Sequence, residues 1–446
     1  MYTFSNRLRI TSFILMIVGV LGIGYGFLSA PSTIEEAKAI VASTQAHHAG
    51  GHEQAHDSAA HHENTTAQTD AHADDHAAHD AHTLSKLQNR PWSAFLIAAF
   101  FFFMLSVGAL VFYAVQHVAQ AGWSPVLFRI MEGVTAYLVP GAIILYVFYV
   151  LTAGFHMNHM YIWMDSDIMA ADKILQLKSG YLNIPFFLIR SLLFLGGWCF
   201  YRYYVVKQSR LQDEAEDYTP YKKIFKSSVF FLLFFFVTES VMAWDWFMGL
   251  EPHWYSTLFA WYIFASMFVS GVTVIAMVLV YLKSKGLVDF VNDSHLHDLG
   301  KYIFGLSIFW SYLWFGQFML IWYANIPEES AYFMTRVEHY GIVFFGMLVL
   351  NFVFPFLMLM NTDFKRRGWF IIMTGVVVLI GHYMDVFQWV MPSTVGELWS
   401  FGIPEISSVL FFLGLFIFVT FNAIAKMPSL LEKRNPLIEE SKHFHY

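Results

Sequence analysis

The sequence predicts an all-α integral membrane protein. It would have ten transmembrane helices, grouped as two four-helix bundles (spans two to five and six to nine) flanked by spans one and ten. Three observations predict it. Of 446 residues, 57% are hydrophobic and only 13% are charged, against roughly 25% charged in an ordinary soluble domain. Ten apolar segments reach the roughly 20 residues that a helical span needs. A pattern in the fifth span also returns in the ninth, as in membrane folds made of repeated units.

The segments follow in chain order. Residues 1–29 hold the first span, 10–28, with Arg7 and Arg9 ahead of the apolar run. A signal peptide would look similar. Here the run is long, and Leu28 is a poor residue three before a cut after Ala30. The segment therefore reads as a retained span.

Residues 30–91 form a long His/Asp-rich loop. Its tract HHAGGHEQAHDSAAHHENTTAQTDAHADDHAAHDAH holds ten of the 20 histidines and seven acids. Such a composition buries too little apolar surface to fold alone, so the loop is expected to be largely disordered or draped on a partner. Imidazole and carboxylate also suit Zn, Cu or Ni. The spacing is irregular and fits no fixed site, so no metal ligands are assigned.

Residues 92–248 carry spans 92–118, 126–155, 183–205 and 225–248, the first bundle. Residues 249–391 carry spans 254–282, 299–324, 337–360 and 370–391, the second. Residues 392–446 hold the last span, 404–425, and a tail. With the N-terminus inside, inner loops and tails carry 15 Lys and Arg against 6 outside, Arg336 being counted among the six. The excess of cations on one side predicts that both termini are cytoplasmic. The net charge of -7 is concentrated in the His-rich loop, and there is no basic field for nucleic acid. The single cysteine, Cys199, excludes an internal disulfide, an all-cysteine iron–sulfur cluster and covalent haem attachment. It reads as a small buried apolar residue.

Charged side chains are expensive inside a bilayer, so those in spans face interior cavities and are often functional. His117 and Glu132 fall in the inner part of spans two and three. Glu239 lies near the middle of span five, and His382 near the middle of span nine. Asp385 follows His382 by three residues, on the same helix face. Asp245, His253, His156 and His159 lie at the outer ends. Together they suggest a proton ladder: Glu132 and His117 inside, Glu239 and His382 central, Asp385 and Asp245 outside. Structural hydrogen bonds between helices would use the same residue types. Arg129 and Arg190 enter spans and are expected to pair with acids, whose identity the sequence leaves open.

The internal echo sits on these residues. Glu239 precedes Asp245-Trp246-Phe247-Met248 by six positions. His382 precedes Gln388-Trp389-Val390-Met391 by six. A b-type haem would need facing histidines at matched depth, and only His382 is central. The aromatic side chains near the outer ends of spans five and six, Trp246 and Trp254 among them, read as an interfacial belt. Some of them could instead line a flat slot for a quinone ring.

Two segments carry a resemblance. AWDWFMGLEPHWYSTLFAWYIFAS (243–266) and HDLGKYIFGLSIFWSYLWFGQFMLIWYANIPEES (297–330) resemble the NrfD/polysulfide-reductase-like membrane subunits of quinol-linked complexes. They are most similar to those of alternative complex III, a quinol:cytochrome c (or high-potential acceptor) oxidoreductase. The resemblance implies two four-helix bundles and no prosthetic group in this subunit, with haem c and iron–sulfur clusters in partner subunits. It implies a second NrfD-like subunit, an iron–sulfur subunit and haem c subunits as partners, in the bacterial inner membrane among its lipids, with a terminal oxidase as a further partner. Quinol-binding relatives end the third bundle helix with a His-Leu-Gly-Arg-like segment. Here the region reads TAGFHMNHMYIWMD; His156 matches the histidine and the Gly-Arg is missing. That departure favours the ActF-type subunit, with proton passage and scaffolding as its role. Two alternatives stay open. One is the quinone-binding, quinol-oxidising subunit, with His156, His253, Trp246 and Trp254 near the ring. The other is a stand-alone transporter.

Overall fold

The computed structural model describes residues 2–49 and 69–445. Among these residues are ten helices long and apolar enough to cross a membrane, one for each predicted span. They are α1 (Asn6–Leu28), α2 (Asp80–Val118), α3 (Pro125–Phe155), α4 (Ile184–Glu214), α5 (Thr219–Leu250), α6 (Leu258–Ser284), α7 (Asp293–Ala324), α8 (Pro327–Leu359), α9 (Gly368–Thr394) and α10 (Ile403–Ala425). No strand occurs among the described residues. The chain is a multi-pass α-helical membrane protein.

Tyr2 packs on Phe421, with ring centroids 6.1 Å apart. Both termini therefore lie at one face, called near here, and the opposite face is called far. Helices α2 and α6 are the buried centre, while α1 is the least covered. Both central helices run from far to near, and they meet at two glycines. A Cβ on Gly108 would sit 2.0 Å from the Met267 carbonyl oxygen, and one on Gly271 would sit 2.4 Å from the Ala109 nitrogen. Only hydrogen fits at that crossing, as in close helix contacts within membranes. Around this pair, α2 touches α3, α5, α9 and α10, and α6 touches α5, α7 and α9; α3 packs on α4, α4 on α5, α7 on α8, α8 on α9, and α1 on α10.

Three boundaries differ from the sequence reading. The loop 30–91 is not structureless throughout: Ile34–Ala49 is helical, and the helix that becomes α2 begins at Thr69. Runs of Ala with Glu, Lys and Gln favour helix even without an apolar face. Lys38 pairs with Asp80 at 2.6 Å and Gln88 donates to the Pro31 carbonyl, tying the two segments together. Residues 50–68, which hold four of the ten histidines of the expected disordered, metal-scavenging tract, lie outside the described residues. Helix α7 starts at Asp293, capped by the Asn292 side chain in a reciprocal box with His295. Helix α8 starts at Pro327, ten residues before the predicted 337, because Pro at its first position and Glu328 and Glu329 in its first turn are helix-start chemistry. Hydropathy hid that turn.

Beyond α10 the tail crosses the near face. Ser441 donates to the Trp123 carbonyl and accepts from the Val126 amide, and His295 Nε2 lies 3.0 Å from the Ser441 carbonyl. The tail thus ties the α2–α3 turn to the start of α7.

Candidate functional site

His382 and Asp385 meet at mid-depth on α9. The imidazole Nδ1 lies 2.8 Å from Asp385 Oδ2, and both side chains are fully buried. Three further groups converge on the carboxylate. Tyr262 of α6 donates to Oδ1 at 2.5 Å, and Ser266, one turn on, donates to Oδ2 at 3.1 Å. Asn351 of α8 donates its Nδ2–H to Oδ2 at 3.2 Å. Four interactions satisfy both oxygens, which is what a buried acid requires. The other ring nitrogen of His382, Nε2, has no hydrogen-bond partner among the described residues, and Trp310 of α7 stands edge-on to the ring at 5.6 Å.

The sequence explains how Asn351 arrives there. Residues 349–353 form a turn of π-helix inside α8. Pro355 follows Asn351 by four, so the Asn351 carbonyl loses its normal amide donor and would clash with the proline ring. The extra residue in the turn relieves this, and π-turns recur at functional sites. On α9, Gly381 makes room: a Cβ there would be 2.0 Å from Asn351 Oδ1.

Glu239 stands apart from this cluster. It is 2% exposed on α5, and its Oε1 has no hydrogen-bond partner among the described residues. Its neighbour Thr238 accepts from Trp198 Nε1 of α4 at 3.0 Å.

The far ends of α5 and α9 are each held by an arginine from the preceding helix. Arg190 of α4 grips Asp245 with two bonds, 2.6 and 3.0 Å, while its guanidinium lies 3.9 Å from the Tyr181 ring and 4.1 Å from that of Phe186. Arg336 of α8 donates to the Gln388 carbonyl at 3.2 Å, lies 3.3 Å from the Tyr332 ring centre, and has Glu251 at 3.7 Å. Arg336 is 2% exposed inside α8, and so is not the loop cation assumed in the orientation count.

At the near end, Glu132 takes Arg129 at 3.0 Å and Arg210 at 2.8 Å, and Arg129 also pairs with Asp213. Glu432 of the tail accepts from Ser209 and Asn435 in the same cluster. Burial pushes the Glu432 carboxyl above the usual range, ahead of the opposing pull of Arg129. His117 is buried between Tyr113 and Phe128 rather than bonded to Glu132, and neither ring nitrogen has a partner among the described residues.

The remaining candidates sit as follows. His156 ends α3 in a left-handed conformation (φ 49°) and is exposed. His253 bonds Asp172 at 2.5 Å near the far surface, which holds the Asp172 carboxyl below its usual range. Trp246 is buried and donates to Ser191 at 3.0 Å. Trp254 lies flat on Tyr332, with centroids 3.7 Å apart at 6°.

The structure thus joins His382 with Asp385. It gives Asp245 and Glu132 to arginines and leaves Glu239 and His117 separate. Sequence reasoning missed Ser266, Asn351, Glu432 and the Arg90–Glu405 pair at 2.8 Å, and it read Tyr262 as one of the outer aromatic side chains and Arg336 as a loop cation. A polar residue four before a proline within an apolar span was the available signal for Asn351. Among the described residues, no three His, Cys, Asp or Glu side chains are grouped to hold a metal ion. Compared with models of known protein families the chain matches none, and no curated protein matches it either.

Proposed function

We propose that this protein is the ActF-type membrane subunit of a quinol:cytochrome c (or high-potential acceptor) oxidoreductase. In this reading it contributes a proton-conducting path and a scaffold, while haem c and iron–sulfur centres belong to neighbouring subunits. The membrane would be the bacterial inner membrane, with the near face cytoplasmic. The observation that carries the reading is the His382–Asp385 pair, fully buried at mid-depth, with Tyr262, Ser266 and Asn351 around it. An isolated scaffold helix has no use for such a group, because ionisable residues in mid-membrane are costly. The two neighbouring sets α2–α5 and α6–α9, with α1 and α10 beside them, suit the architecture that the resemblance implies.

In mechanistic terms, His382 would take or give a proton at Nε2, the nitrogen left open, while Asp385 holds Nδ1 and steadies the charged ring. Tyr262, Ser266 and Asn351 keep the carboxylate in place. Glu239 would be a second carrier, on α5. Near-end entry would pass Glu132 and His117.

A quinone at the four residues put forward for it has less support. Trp246 is buried and bonded to Ser191, Trp254 is stacked on Tyr332 with its Nε1 unpartnered among the described residues, and His156 and His253 lie at the far surface. A tag on the C-terminus tests the assembly: haem c absorbance and iron–sulfur signals should copurify in fixed ratio with the chain. Homogeneous purification without haem or iron would instead favour a stand-alone transporter.

A further inference from the structure

We propose that the membrane-facing groove between α4 and α5 binds an anionic phospholipid, with its phosphate on Lys223 and Lys226 and an acyl chain along the aromatic walls. The groove has a volume of about 540 Å³. It is independent of the interior site described above.

Depth is the first argument. Lys223 and Lys226 lie four and seven residues into α5 from Thr219, roughly 6 and 10 Å below its near end. That is the headgroup boundary. The groove then runs away from the lysines to Gly197 and Phe234. Phe234 is eleven residues beyond Lys223, roughly 16 Å, or about half of a 30 Å hydrocarbon core. The groove therefore spans one leaflet. It closes where α4 and α5 touch, since a Cβ on Gly197 would be 2.4 Å from Phe234.

The lining is the second argument. Tyr201 lies flat on Phe231, with centroids 3.8 Å apart at 4°, and this pair makes the floor. The Tyr201 hydroxyl is turned away into a bond with Ser228, so the ring faces the groove as an apolar surface. Phe200 and Phe230 stand at the lips, 68% and 72% exposed.

Charge complementarity is the third. Both lysines are exposed and have no ion-pair partner among the described residues. Two unpaired cations at headgroup depth above an apolar slot match a molecule that is anionic at one end and hydrocarbon at the other. Basic pockets of this kind at the membrane boundary hold anionic headgroups. A free phosphate would use the lysines and leave the slot unfilled. A partner helix would have to bring its own acids.

The test uses the detergent-solubilised protein and whatever partners purify with it. Dioleoylphosphatidylglycerol, dioleoylphosphatidylcholine or inorganic phosphate is added, and bound lipid is counted by native mass spectrometry. The phosphatidylglycerol adduct should be the stronger one. It should weaken roughly 30-fold in Lys223→Ala/Lys226→Ala and survive in Lys223→Arg/Lys226→Arg. Inorganic phosphate should not displace it. Equal retention of the two lipids, an unchanged adduct in the alanine variant, or displacement by phosphate would overturn the proposal. So would a photocrosslinker at Phe230 that captures a protein segment, rather than lipid, in intact membranes.

Discussion

Arg190 and Arg336 occupy matching places in the chain's two halves. Arg190 lies on α4 and binds Asp245 on α5; Arg336 lies on α8 and binds the backbone of Gln388 on α9. Asp245 and Gln388 are the two positions that the internal echo aligns, each six residues after Glu239 or His382. Each arginine also lies against a tyrosine ring. The echo is therefore a repeated contact as well as a repeated string.

The Arg190–Asp245 pair predicts an asymmetric mutational response. Asp245→Ala leaves a buried guanidinium uncompensated and should cost about 3–5 kcal/mol. Arg190→Met/Asp245→Leu should cost much less, because it removes both charges. Thermal unfolding of the purified variants, followed by tryptophan fluorescence, compares them. Equal losses in the two would mean that the pair matters only through packing.

Gly381 is predicted to tolerate no side chain. Gly381→Ala puts a methyl group against Asn351, and such overpacking should cost about 1–3 kcal/mol. It should also loosen the Asn351–Asp385 bond. The same thermal assay applies, with Gly346→Ala of α8, where a Cβ meets open space, as the control.

Pro355→Ala should let α8 regain a regular ladder. Removing one extra residue from the π-turn rotates the preceding part of the helix by roughly 100° relative to the rest. Spin labels at Ile342 and Leu357, both exposed, would report this as a changed distance in pulsed resonance measurements. An unchanged distance would mean that packing, rather than the proline, holds the turn.

The tail contact of Glu432 has a definite pH sign. Its folded-state pKa is raised above the ordinary value near 4.5, so the folded tail prefers the protonated acid. Its contribution is full below about pH 4.5 and is lost as pH rises through the folded pKa. Glu432→Gln should therefore hold the tail better than wild type at neutral pH and flatten the pH dependence. Hydrogen exchange at Ser441 and His443 measures it.

The ten spans were legible because each is a long apolar run, and hydropathy reports such runs directly. That His382 and Asp385 share a helix face was legible too, since three-residue spacing on one helix is a local property. The site's other half was not. Tyr262, Ser266 and Asn351 come from two other helices, and only helix packing brings them to α9. Arg336 was hidden because the charged first turns of α8 lower its hydropathy, so the residue read as loop. The helical ends of the His-rich segment were hidden for the opposite reason: composition reports missing apolar burial, and a helix can form without it.

The most direct test of the proposed proton relay is the number of protons moved per electron in liposomes by the oxidoreductase complex to which we propose this chain belongs. Asp385→Asn should keep the electron-transfer subunits assembled and lower that ratio, with Glu239→Gln lowering it further. A wild-type ratio in both variants, with assembly intact, would contradict the account.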